Sequence, residues 1–102
     1  MIFPNETRAE MRVRTTCFVT EGDLPLTFKW LKDEEVLRPD DDIGITKLDS
    51  YTSMLVIDRI QEHHTGNYTC VATNAAKVAR STAVLSVSGK FHLLFLYYTY
   101  TI

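Results

Sequence analysis

Apolar and polar residues alternate with a period of two along most of this chain. Tyr68, Cys70 and Ala72 share one face of Gly66 to Asn74, with Asn67, Thr69, Val71 and Thr73 on the other. A two-residue period rich in aromatic and β-branched residues predicts a strand buried on one side. The same reading places Met11, Val13, Thr15, Cys17 and Val19 inward against Arg12, Arg14, Thr16 and Phe18. Phe28 and Trp30 point in, while Thr27, Lys29 and Leu31 point out. Ile43 and Ile45 resume the pattern, separated by Gly44 and followed by Thr46. In the nearly continuous apolar run Ser53 to Asp58, counting from Tyr68 sends Leu55, Ile57 and then Ile60 inward, and Met54 and Val56 outward. Ala83, Leu85 and Val87 form the inner face of a last strand. Residues 1–9 are expected to hold a remnant of a first edge strand, where Pro4 is tolerated because it has no N–H to pair.

Between these runs lie turn residues. Glu21-Gly22-Asp23 reverses the chain, with Pro25 delaying the next strand. Asp33-Glu34-Glu35 makes a polar turn, Val36-Leu37 a short edge segment, and Arg38 to Asp42 a loop. The chain bends again near Asp49-Ser50. Gln61 to Thr65 reads as a short helical turn and Asn74 to Lys77 as a hairpin. About seven or eight short strands with turn signals every eight to twelve residues, and no credible helix, predict an all-β sandwich. Trp30 would fill the space between two sheets about 10 Å apart.

The chain has 102 residues and a formal charge of −2, enough for one hydrophobic core. Its densest basic cluster, Arg8, Arg12 and Arg14, is flanked by acidic residues, so no stripe suited to nucleic acid exists. No Gly-rich phosphate loop is present. The adjacent His63 and His64 diverge in any extended segment and cannot chelate together. Asp40-Asp41-Asp42 lacks the spaced ligands and turning glycine of a calcium loop. No serine occupies a strand-to-helix elbow. These features argue against an enzyme, a metal site, a cofactor or a small-molecule substrate. Met1 to Pro4 does not resemble a signal peptide; with two cysteines, which favour an oxidising compartment, the expectation is a piece of a longer precursor.

Cys17, then Trp30 thirteen residues on, then Tyr68-Thr69-Cys70 forty residues after the tryptophan, resembles the immunoglobulin sandwich. Trp30-Leu31-Lys32-Asp33, Leu55-Val56-Ile57, Gly66-Asn67-Tyr68-Thr69-Cys70 and Ala72-Thr73-Asn74 narrow the likeness to its I-set, over roughly residues 3 to 88. The resemblance implies an all-β, immunoglobulin-like sandwich of two antiparallel sheets joined by a Cys17–Cys70 disulfide. Trp30, Leu55, Ile57 and Tyr68 would lie in the core, with the Tyr68 hydroxyl bonded back to the backbone. Such a bridge closes a loop of about fifty residues, worth roughly 4 kcal/mol on a chain-entropy model. Two positions depart from the I-set pattern. His64 stands where an Asp is usual, so Asp41 and His64 are expected to form a charge-reversed ion pair that raises the histidine pKa. Asn74 takes the place of a common Gly and is expected to tolerate a left-handed backbone.

Gly22-Asp23-Leu24-Pro25-Leu26, Ile43-Gly44-Ile45-Thr46 and Ser53 to Ile57 further resemble variable immunoglobulin domains of the arthropod Down syndrome cell adhesion molecule (Dscam) family. That likeness implies an extracellular module of a membrane-anchored cell-surface protein. Its partner would be another copy of itself across cell contacts, in neuronal recognition and axon guidance or in immunity. Outward Arg12, Arg14, Thr16, Thr46, Leu48, Met54 and Val56 form the candidate homophilic interface, suited to antiparallel pairing about a two-fold axis. The bland reading of Met54 and Val56 is that they are ordinary exposed apolar residues. Asn5-Glu6-Thr7 and Asn67-Tyr68-Thr69 are glycosylation sequons, and a glycan on Asn67 would obstruct the opposite sheet. Residues 1–88 are assigned to the domain. Residues 89–102 form an apolar tail too short to span a bilayer, read as translated intron in preference to a truncated span or a docked strand. Alternatives are a structural domain of an intracellular muscle protein, and an immune module binding a foreign ligand.

Overall fold

In the computed structural model the alternating runs become nine short strands, described over residues 3, 6–7, 11–87 and 92–93. They are β1 (Glu6–Thr7), β2 (Val13–Phe18), β3 (Thr27–Lys32), β4 (Glu35–Val36), β5 (Ile43–Asp49), β6 (Thr52–Ile57), β7 (Gly66–Thr73), β8 (Val78–Leu85) and β9 (His92–Leu93). One sheet has the order β2-β6-β5 and the other β4-β3-β7-β8, while β1 pairs with β9. All pairings are antiparallel. The fold is thus the expected all-β sandwich. Asn5 and most of the tail lie outside the described residues.

Most inward residues of both sheets meet in one main core, and Val19, Leu26 and Ala72 form a smaller cluster. Trp30, Leu55, Ile57, Ile60, Tyr68, Ala83, Leu85 and Val87 are buried in the main core together with Cys17 and Cys70. Those two cysteines form the disulfide, with Cα atoms 6.3 Å apart. Beside it the Trp30 indole N–H donates to the Ser53 hydroxyl at 2.9 Å, which satisfies the one polar group that the tryptophan brings into the interior. Cys17 is register partner to Ser53, and Trp30 to Cys70. Phe3 also reaches the core and meets the Tyr68 ring edge-on, centroids 5.5 Å apart.

Before β7 the chain makes a 3-10 turn, Glu62–His64. Tyr68 donates its hydroxyl to the His64 carbonyl oxygen at 2.6 Å, the corner that the resemblance implied. The expected Asp41–His64 ion pair does not form. His64 is buried, and its Nδ1 accepts the Gln61 backbone N–H at 2.8 Å. An accepting Nδ1 has no proton, so the ring is neutral with its proton on Nε2. Burial, with His63 alongside, lowers the His64 pKa, and this outweighs the opposing pull of Asp42 and Asp40. The shift therefore has the opposite sign to the one expected.

Leu31 keeps the outward side of β3 that the alternation assigns it, and there it is buried, between its register partners Val36 and Thr69. One further expectation is corrected. Asn74 keeps a negative φ, because the positive-φ residues are Asp33, Glu34 and Arg59. Its side chain shapes the hairpin instead, with Oδ1 accepting the backbone N–H groups of Ala76 and Lys77. Positive φ is needed at Asp33 and Glu34, the central pair of the tight β3–β4 hairpin (φ 51° and 71°). From that turn the Asp33 carboxylate accepts the Asn67 N–H at 3.0 Å. It lies so close to Gly66 that a Cβ there would sit 2.8 Å from Asp33 Oδ2.

Candidate recognition face

The outer face of the three-stranded sheet is built row by row from the strand register. Arg14, Val56 and Gly44 lie across β2, β6 and β5, and Thr16, Met54 and Thr46 form the adjacent row. Inward neighbours Thr15, Cys17, Leu55 and Ile57 are buried, so the period of two leaves these rows on the opposite, outward side. Arg14 and Thr46 are exposed, while Thr16, Met54 and Val56 are half-buried by the flanking strands. Of the expected interface residues, Arg12, Arg14, Thr16, Thr46, Met54 and Val56 are therefore brought together.

Three details adjust that surface. Arg12 forms an ion pair with Asp58, both side chains being more than half exposed; such surface pairs contribute little stability but hold the guanidinium in place. Leu48 sits in an irregularity of the β5–β6 register between Lys47 and Asp49, and is 51% exposed. Lys47, register partner of buried Ser53, lies on the other side of β5, where its Nζ donates to the Leu26 carbonyl at 3.2 Å. At Gly44 a Cβ would meet nothing, so the row through Val56 has an arginine on one side and bare backbone on the other.

Phe18 was missing from the sequence-derived interface. It continues the outward series Arg12, Arg14, Thr16 at the end of β2 and is 45% exposed. The alternation already placed it outward, and an exposed phenylalanine was the signal. Together Phe18, Met54 and Val56 give the face an apolar element beside Arg14, the mixture that interface cores favour.

The four-stranded sheet presents a different surface. Asn67 is exposed at the start of β7, whereas Thr69 is buried, its Oγ1 2.9 Å from that of Thr82. Arg80 makes a forked contact to the Glu34 carboxylate at 2.7 and 2.8 Å. Among the described residues, no three His, Cys, Asp or Glu side chains gather into a group able to hold a metal ion.

Comparison with known proteins accords with this architecture. A model for the immunoglobulin domain matches residues 1–74. The chain is 46% identical over 77 residues to cell adhesion molecule Dscam2 of Drosophila melanogaster, covering 76% of this chain and 4% of that protein. The crystal structure of a Dscam1 Ig7 domain, isoform 5, superposes with a TM-score of 0.76 at 27% identity, over 83% of this chain and 93% of that one. An I-band fragment of titin, I67-I69, gives a TM-score of 0.72 at 30% identity, over 78% of this chain and 28% of that one. The chain thus spans a small part of the curated relatives that it matches.

Proposed function

We propose that this chain, which belongs to the immunoglobulin domain family and is homologous to domains of Dscam cell adhesion molecules, is an extracellular recognition module that binds a second copy of itself. The parent would be a membrane-anchored cell-surface protein of the kind that sorts neuronal contacts and guides axons. The observation that carries this reading is the outer face of β2-β6-β5, where apolar side chains flank an unobstructed pair of rows. A face crossed by a two-fold axis meets itself in antiparallel register. With the strands antiparallel, the middle strand β6 lies over its own copy, and Met54 and Val56 come toward the centre.

Cells displaying the full ectodomain are expected to clump homotypically, and Val56→Lys together with Phe18→Lys to abolish the clumping without lowering surface display. Clumping that survives both substitutions would refute this face as the interface. Binding of a foreign ligand without homotypic clumping would favour the immune reading instead.

The titin likeness keeps one other reading in view, a structural domain of an intracellular muscle protein. It requires reduced Cys17 and Cys70 in the native protein. A mass two hydrogen atoms lower under non-reducing conditions excludes that state.

A further inference from the structure

The outer face of the four-stranded sheet carries a motif that the recognition face does not use. Asn67-Tyr68-Thr69 has the N-x-T form of an N-glycosylation acceptor, and Asn67 is exposed. In the folded domain the motif is nonetheless locked. Thr69 is 1% exposed and its hydroxyl is engaged with Thr82 at 2.9 Å. The Asn67 N–H donates to the Asp33 carboxylate at 3.0 Å, and its carbonyl accepts the Asp33 N–H at 2.9 Å. β7 is paired along its length with β8, and along most of it with β3. A transferase that reads the hydroxyl two residues beyond the asparagine cannot reach it there. Modification has to precede the pairing of β7.

We infer that Asn67 receives an N-linked oligosaccharide on the unpaired nascent chain, and that closure of the Cys17–Cys70 bridge ends the interval in which it can. The inference rests on the extracellular reading above. In the transfer, the Asn67 amide nitrogen attacks the anomeric carbon of a polyprenyl-diphosphate-linked oligosaccharide. A carbon–nitrogen bond forms, the bond to the diphosphate oxygen breaks, the lipid diphosphate leaves with the electron pair, and the enzyme's base takes the amide proton. In the competing step the two thiols lose two protons and two electrons to a protein disulfide of the secretory compartment, which becomes a dithiol. Cys70 directly follows Thr69 and Cys17 has already been synthesised, so the bridge becomes possible as soon as the sequon is complete. Closing it anchors β7 across the sandwich. Once attached, the glycan stands beside Val84, the register partner of Asn67 and 38% exposed, with Cβ atoms about 5 Å apart. A bulky hydrated group there shields this apolar position and leaves β2-β6-β5 open.

The test uses cells expressing the protein from its own full-length coding sequence, with enzymatic deglycosylation in heavy-oxygen water and peptide mass spectrometry. Asn67 is expected to be converted to heavy-labelled aspartate. Asn67→Gln is expected to remove one glycan's gel shift while the domain still folds and oxidises. A short dithiothreitol pulse during synthesis is expected to raise occupancy at Asn67 but not at Asn5, which has no neighbouring cysteine. Secreted, oxidised protein with Asn67 unmodified overturns the inference, as does occupancy that the reductant leaves unchanged. Protein retained in the cytosol with free thiols and both sequons bare overturns the extracellular reading itself.

Discussion

Replacing Tyr68 by phenylalanine tests the corner before β7 with the loss of one oxygen. The Tyr68 ring is fully buried and packed edge-on against Phe3, and phenylalanine keeps that packing. What disappears is the donor to the His64 carbonyl, at 2.6 Å a short contact for a hydroxyl. Burial raises the phenol pKa well above its ordinary value, so the group remains a donor at neutral pH. His64 is itself buried, and its carbonyl loses this partner in a place that water reaches poorly. An unsatisfied buried acceptor costs about 1–3 kcal/mol. For a domain of this size each kcal/mol lowers Tm by about 4–8 °C. Urea unfolding followed by Trp30 fluorescence should show a lower midpoint with an unchanged m value. A midpoint equal to the parent's would show that the corner bond adds nothing, and a changed m value would mean that the substitution altered more than this bond.

Two other outcomes follow from the same region. The His64 pKa is lowered from 6.5 by burial and His63, so the folded protein binds a proton there more weakly than the unfolded chain does. Its contribution to stability is complete above pH 6.5 and is lost as pH falls through the folded pKa; equal or greater stability to urea at mildly acidic than at neutral pH, with His64 followed by NMR, would refute the neutral, accepting ring. Gly66→Ala should displace the Asp33 carboxylate from the Asn67 N–H and lower the urea midpoint. The loss should shrink in an Asp33→Ala background, and equal losses in both backgrounds would remove that contact as the cause.

The sandwich was legible because its determinants repeat and lie at fixed intervals. Alternation assigned the inner residues of β2, β6, β7 and β8, and the Cys17, Trp30, Tyr68 and Cys70 spacing identified the sheets' common centre. Polar contacts that depend on loop paths were not legible in the same way. Asp41 stands near Ile43 in sequence, but the loop is shaped by Asp40, whose Oδ1 accepts the N–H groups of Asp42 and Ile43. The 3-10 turn then offers His64 a partner three residues away. Alternation tells that Leu31 faces outward but not that it is buried there, because burial also depends on neighbours across the strands. Phe3 and Ser53 show another limit. Each finds its partner across the core, beyond what a local pattern records. For the recognition face the rows were legible from parity alone, but the bare spot at Gly44 needed the register, which sets it beside Val56.

The Cys17–Cys70 bridge and the Trp30–Ser53 hydrogen bond stand side by side and cross between the same two register pairs. Under tension, links arranged in parallel share the load rather than failing in turn. The covalent one also removes the chain between its ends from any extension. That hidden length is the 53-residue separation of the cysteines, about 180 Å of extended chain. If the domain is pulled at its ends while oxidised, only the strands flanking the bridge can unravel, and the domain lengthens by a bounded amount.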